Sequence, residues 1–213
     1  MFASKALKSA QGHDIQMATN CLGSHLLYSL LRPVLITTAK NSVPASVRVT
    51  WAGSIAVDTM APKGGIQFID GSNEPNIEPM NEQQIYAVTK VGNLWLANAH
   101  GRRDAQHGIL HVCWNPGNLR TELTRHSSLF QRAVFQLIMN PPIKGAYTEL
   151  YSAVSDDLSM KHVGQYIVPW GRPSDVREDV GEGFLPSQDG KETGSERFVS
   201  WCDQTVADFK SLT

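Results

Sequence analysis

The chain has 213 residues with 19 Lys and Arg against 20 Asp and Glu, a formal net charge of −1 that excludes a polyelectrolyte partner such as nucleic acid or an anionic membrane surface. At 41% hydrophobic and 18% charged it has the composition of an ordinary soluble globular domain, not of a disordered or fibrous chain. Its longest apolar runs, such as residues 26–31, fall far short of the roughly 18 residues a membrane span needs. Residues 1–13 carry no apolar signal core, so a cytoplasmic address is the default expectation. Cys21, Cys113 and Cys202 form no CxxC pair, which predicts reduced, partly buried thiols and no metal site.

From Gly12 to Lys40, apolar residues recur at three- and four-residue spacing, which predicts a helix that Pro33 bends or ends. Residues 47–51 (VRVTW) read as a strand that runs into the small residues Ala52, Gly53 and Ser54. Residues 55–81, dense in Pro, Gly and acids, read as one long loop. A second helix is expected from Glu82 to about Gln106. The near-continuous apolar run 109–114 then has the pattern of a parallel strand covered on both faces, closed by Asn115-Pro116-Gly117. After an amphipathic stretch at Leu129 to Met139 come a helix over 145–154 and a last strand at 164–168. The segment 172–197 reads as an acidic, loop-rich tail, followed by a short helix near Phe198 that could dock. The alternation places the chain in the α/β class, as a single domain over 1–213.

Tyr86 and Lys90 stand four apart, on one face of the second predicted helix. A tyrosine is a poor acid or base at neutral pH, and a nearby ammonium favours its phenolate, so the pair has a chemical use. The same spacing also describes a partly buried tyrosine beside a solvated lysine. Ser54, at the carboxyl end of a predicted parallel strand, could polarise a carbonyl together with Tyr86, or could simply cap the strand end. Asn20 interrupts an apolar helix pattern, where it needs a reason; a helix kink satisfied by water is one. His107 and His111 are too far apart along a strand to share a metal. Arg102 and Arg103 suit a solvated helix end.

Thr19-Asn20-Cys21-Leu22-Gly23, residues 48–54 (RVTWAGS), Tyr86-Ala87-Val88-Thr89-Lys90 and residues 115–121 (NPGNLRT) occur in the order found in short-chain dehydrogenases/reductases. The chain resembles the fungal branch related to retinol dehydrogenases and WW-domain oxidoreductases, including residues 145–150 (GAYTEL) and 169–172 (PWGR). The resemblance implies a Rossmann-like, doubly wound parallel sheet and hydride transfer between NADP(H) and a carbonyl or secondary alcohol in fungal secondary metabolism, with NAD not excluded. It further implies Tyr86 as proton donor or acceptor and Ser54 as the group that orients the substrate oxygen. Lys90 would lower the tyrosine pKa and hold the nicotinamide ribose, Asn20 would support a proton-relay water, and Pro116, Leu119 and Thr121 would contact the cofactor carboxamide.

The family's glycine-rich strand-turn-helix is not found: Lys63-Gly64-Gly65 lies in the long loop and Gly181-Glu182-Gly183 in the acidic tail. The resemblance begins near Ser9, so an N-terminally truncated form of the fold is expected, with three strands and an open edge on the first. Two other readings stay open. One is an inactive interaction module that uses a paired-helix surface, Gly12 to Thr38 and Glu82 to Gln106, as a homodimer or with a full-length homologue. The other is a cofactor-free isomerase or cyclase that uses Tyr86 and Lys90.

Overall fold

A computed structural model describes residues 2–120, 139–185 and 192–210. Asp14 opens the first helix by accepting the backbone N–H groups of Gln16 and Met17, and α1 (Ile15–Met17) passes through a π-helical turn (Ala18–Leu22) into α2 (Gly23–Ala39). Pro33 does not end this helix. It sits exposed, where water can take the carbonyl its missing N–H leaves free, so the helix runs on to Ala39. Strand β1 (Arg48–Ala52) follows, then a short helix α3 (Ala56–Thr59) inside the segment read as loop, which also closes a small bridge between Phe68 and Pro75. Helix α4 (Glu82–Asp104) starts from a capping box in which Asn81 and Gln84 satisfy each other's backbone N–H groups. Strand β2 (Leu110–Trp114), helix α5 (Pro142–Val154), strand β3 (Tyr166–Val168) and strand β4 (Arg172–Ser174) complete the sheet. The short helix α6 (Glu178–Gly181), then α7 (Gly194–Thr205) and α8 (Ala207–Lys210) follow. The amphipathic reading of 129–139 lies, up to residue 138, outside the described residues.

The sheet order is β1-β2-β3-β4, with the first three strands parallel and β4 antiparallel to β3. The expected three strands are therefore four, because Gly171, at φ 79°, lets the chain turn back and pair Arg172–Ser174 with β3. Strand β2 is covered on both faces, as its apolar run requires: Cys113 joins the core under α4, while Leu110 and Val112 pack with Ile167 and Leu158 on the side of Tyr151 from α5. All three cysteines are free and fully buried, and burial pushes the thiols of Cys21 and Cys113 up to about 12.

Helix α4 is the central element, with Ile85, Val88, Leu94, Trp95 and Leu96 all buried. Its outer side is covered by α7, whose Phe198 seats against Gly92 so closely that a Cβ there would stand 2.8 Å from the ring. The α4 half of the paired-helix surface is thus enclosed within the chain, since the C-terminal helix occupies it. Arg102 and Arg103 are exposed at the helix end, as expected, and also anchor it: Arg102 donates to the Phe184 carbonyl and to Thr193 and Ser195, and Arg103 donates to the Tyr28 hydroxyl.

Candidate active site

Tyr86 and Lys90 occupy successive turns of α4, with the Lys90 ammonium 5.6 Å from the centre of the Tyr86 ring. Lys90 is not a solvated side chain. It is 7% exposed, and its Nζ donates to the Ala52 carbonyl at 2.9 Å. That bond ties the tyrosine's helix to the end of β1, two residues before Ser54. Asn93 joins it, its Nδ2 donating to the same carbonyl at 2.9 Å. An ammonium carries three donors, and Ala52 takes one.

Gly53 fixes how the chain leaves β1, since a Cβ there would meet Cys113 Sγ at 2.8 Å and the Trp114 carbonyl at 3.0 Å. Ser54 follows at the strand's carboxyl end. Its Oγ accepts the Ala56 N–H at 3.2 Å, and its own hydroxyl proton can still be given to a ligand. The Tyr166 hydroxyl donates to the Ser54 carbonyl at 2.8 Å, so β3 also holds this turn.

Asn20 lies in the π-helical turn, 6% exposed, and its Nδ2 donates to Thr89 Oγ1 at 2.9 Å. Thr89 in turn donates to the Tyr86 carbonyl, so Asn20 braces the turn of α4 between Tyr86 and Lys90. The turn that carries Asn20 is a π-bulge, a device often found at functional sites. Phe2 sets the edge of its ring against Tyr86, with ring centres 5.9 Å apart.

Pro116 and Leu119 leave the carboxyl end of β2, the same end of the parallel sheet as Ser54. Asn115 shapes this turn by accepting the Gly117 N–H at 2.8 Å, and both Pro116 and Leu119 press on Gly145 in the first turns of α5. Thr121 lies outside the described residues. The structure therefore gathers Asn20, Tyr86 and Lys90 around α4, and brings the Ser54 and Pro116 turns to the same sheet end.

The glycine pairs set aside as phosphate loops have other work. The Gly64 N–H donates to the Asp179 carboxylate at 2.7 Å, and a Cβ on Gly183 would stand 2.3 Å from the Trp95 ring. Among the described residues, Lys90 is a buried cation with donors beyond its bond to Ala52, and no glycine-rich turn opens a helix as a dinucleotide pyrophosphate requires.

Sequence reasoning missed Asn93, three residues after Lys90, and a buried polar network at the other end of α4. Asp104 accepts from Arg32 (2.7 Å) and from the Tyr28 hydroxyl, and His111 Nε2 lies 3.4 Å away. Trp51 donates its indole N–H to His111 Nδ1 at 3.2 Å, so neutral His111 carries its proton on Nε2, toward Asp104. A second branch links Asp203, His25 and His100 at 2.9 and 3.1 Å. The signals were His25 with Tyr28, and His100 with Asp104, at helical spacing on faces that are otherwise core.

Burial holds His100 well below its ordinary pKa, with further lowering from His25 and Arg103, and burial also lowers His111 against the pull of Asp104. An unfolded histidine titrates near 6.5, so below about pH 6.5 the unfolded chain binds more protons than the native one. Stability from these neutral histidines is present above that pH and is lost as pH falls below it. Urea midpoints are expected to drop between about pH 7.5 and about pH 5.5. A flat profile across that window would contradict the assignment.

Among the described residues, no three His, Cys, Asp or Glu side chains form a metal cluster, and no helix is long and apolar enough to cross a membrane. No protein-family model matches the chain. A short-chain dehydrogenase/reductase of Phomopsis amygdali is 39% identical over 208 residues, covering 94% of this chain and 60% of that relative. One from Neocamarosporium betae is 35% identical over 204 residues, covering 95% and 58%. The chain is a homologue of the short-chain dehydrogenases/reductases. It spans about three fifths of the length of these relatives.

Solved structures agree on the fold. An uncharacterised protein of Mycobacterium paratuberculosis superposes with a TM-score of 0.57 at 20% identity, over 97% of this chain and 64% of that one. A Leptospira borgpetersenii short-chain dehydrogenase with bound NAD+ gives 0.54 at 18% identity, over 80% and 59%. The α/β architecture is thus Rossmann-like.

Proposed function

We propose that this chain carries the substrate half of an oxidoreductase site that interconverts a carbonyl and a secondary alcohol, with NADP(H) as the hydride carrier, in fungal secondary metabolism. The observation that supports it best is the Lys90 ammonium, buried beside Tyr86 and bonded to Ala52 at the mouth of the Ser54 turn. The nicotinamide, when bound, supplies or removes the hydride. The chain's own residues handle the proton. Tyr86 gives its phenolic proton to the carbonyl oxygen, and the adjacent ammonium stabilises the phenolate left behind. Ser54 donates a second hydrogen bond to the same oxygen as negative charge develops on it. Lys90 and Tyr86 would hold the nicotinamide ribose, with the Pro116–Leu119 turn and Thr121 beside the carboxamide, while Asn20 keeps the intervening turn of α4 in place and supports the relay water. A cytoplasmic setting and a small-molecule substrate go with this reading.

The test is nicotinamide oxidation at millimolar NADPH, the same concentration for every variant, against a panel of aldehydes and ketones. Tyr86→Phe is expected to lower turnover by roughly 10²–10⁴-fold without shifting the unfolding midpoint. Turnover of a substrate with no nicotinamide added, undiminished by its removal, would replace the proposal with the isomerase reading.

A further inference from the structure

A cavity of about 220 Å³ lies where the first helix begins. It is walled by Met17, by Trp201 of α7 and, from the segment before α4, by Ile69, Pro75 and Ile77. Ser54, Tyr86 and Lys90 do not line it, so it is separate from the candidate active site. Trp201 is stacked on Phe198, with ring centres 5.6 Å apart, which fixes its ring in the wall.

Asp14 brings a negative charge to this cavity. It lines the cavity and is only 4% exposed. Its Oδ1 accepts the N–H groups of Gln16 at 2.9 Å and Met17 at 3.1 Å, which caps the helix and holds the carboxylate in one orientation. Its Oδ2 is buried with no hydrogen-bond partner among the described residues. An acceptor taken out of water without a donor is costly, and turning it elsewhere would break the cap. The group that serves Oδ2 must therefore enter through the cavity, and a cationic donor serves a carboxylate best.

The surrounding charges agree. Exposed Glu74 and Glu78 also line the cavity, Lys5 pairs with Glu78 at 3.1 Å, and exposed Lys8 stands in the lining. Counting His13 as neutral, two lysines face three carboxylates, which leaves one negative charge to be matched. Among the described residues no three His, Cys, Asp or Glu side chains are placed to hold a metal ion. The isoleucines, Met17 and the indole suit an apolar body, and an indole also attracts a cation. The volume is below the roughly 300–1,000 Å³ of pockets for drug-sized ligands, so the ligand is small.

We propose that this cavity binds a small organic monocation: a primary ammonium that donates to Asp14 Oδ2, carried on a short apolar body that packs against Trp201, Ile69 and Ile77. The proposal rests on the cavity alone and is independent of the proposed reaction.

The test titrates the full chain with phenethylammonium at pH 8, above the ordinary histidine range, and follows the amide NMR spectrum. Saturable one-to-one binding is expected, with shifts centred on Asp14, Ile77 and the Trp201 indole N–H. Phenethyl alcohol has the same body without the charge and is expected to bind the native chain at least about tenfold more weakly. Asp14→Asn keeps an acceptor for the helix cap and removes the charge, so it is expected to lose at least about tenfold in phenethylammonium affinity at an unchanged unfolding midpoint. No saturable binding at about 20 mM probe, equal affinity for the alcohol, or shifts centred on other residues would overturn the proposal. So would undiminished binding to Asp14→Asn, and if that variant is unstable the comparison of ammonium with alcohol on the native chain decides. Because no turnover is read, its failure would leave the proposed reaction untouched.

Discussion

Titrated with NADPH, the 213-residue chain is expected to show a dissociation constant in the millimolar range or weaker. On the proposed reading, Lys90 and Tyr86 hold only the nicotinamide ribose. A pyrophosphate needs several backbone N–H groups converging at a helix N-terminus, and the described glycines do not offer this: Gly64 spends its N–H on Asp179, and Gly183 is packed under Trp95. Each charge-assisted hydrogen bond to phosphate that goes unmade forfeits roughly 1.5–3 kcal/mol, and every 1.4 kcal/mol is about tenfold in affinity. Three such bonds already amount to a factor above roughly 10³. Calorimetry giving a micromolar constant would refute the argument and would require a phosphate site elsewhere.

Asp104→Ala is expected to be the most destabilising single change in the polar core, by about 3–5 kcal/mol. Its side chain is fully buried and serves Arg32, Tyr28 and, at longer range, His111. Burial alone would raise its carboxyl pKa. The nearby His111 ring together with the hydrogen bonds from Arg32 and Tyr28 outweighs burial and holds the group well below the usual carboxylate range. Removing the carboxylate leaves the buried Tyr28 hydroxyl and the partly exposed Arg32 guanidinium without their acceptor, which costs more than the pair itself contributes. Asp104→Asn keeps an acceptor in place and is expected to lose less. Denaturant unfolding of both variants at pH 7 measures this, and a loss for Asp104→Ala below about 1 kcal/mol would show that the network is not held as the geometry implies.

The helices and strands that build the site were legible because each has a strong local cause. Strand β2 is apolar throughout because both its faces are covered, and α4 carries the i, i+3, i+4 apolar spacing of a core helix. Strand β4 was not legible: three residues, Arg-Pro-Ser, have no strand pattern, and they pair only because Gly171 reverses the chain beside β3. Whether Pro33 would bend or end its helix was open for a related reason, since its cost depends on whether the freed carbonyl is buried, and exposure is a tertiary property.

At the site, spacing alone put Tyr86 and Lys90 on one face of a helix and Ser54 at a strand end, because a helical turn and a strand terminus are local geometry. Whether Lys90 was solvated or buried could not be read from that spacing. Its burial, its bond to Ala52 and the convergence of Asn93 on the same carbonyl exist only because α4 crosses beneath β1, bringing together residues some forty positions apart in sequence. The same holds for the histidine and Asp104 network, whose members come from α2, α4, β1, β2 and α7. Composition and periodicity determined an α/β chain with a Tyr-Lys pair on a central helix. Only the tertiary structure decided which polar groups lost water and which partners replaced it, because desolvation depends on what packs against a side chain and not on its neighbours along the chain.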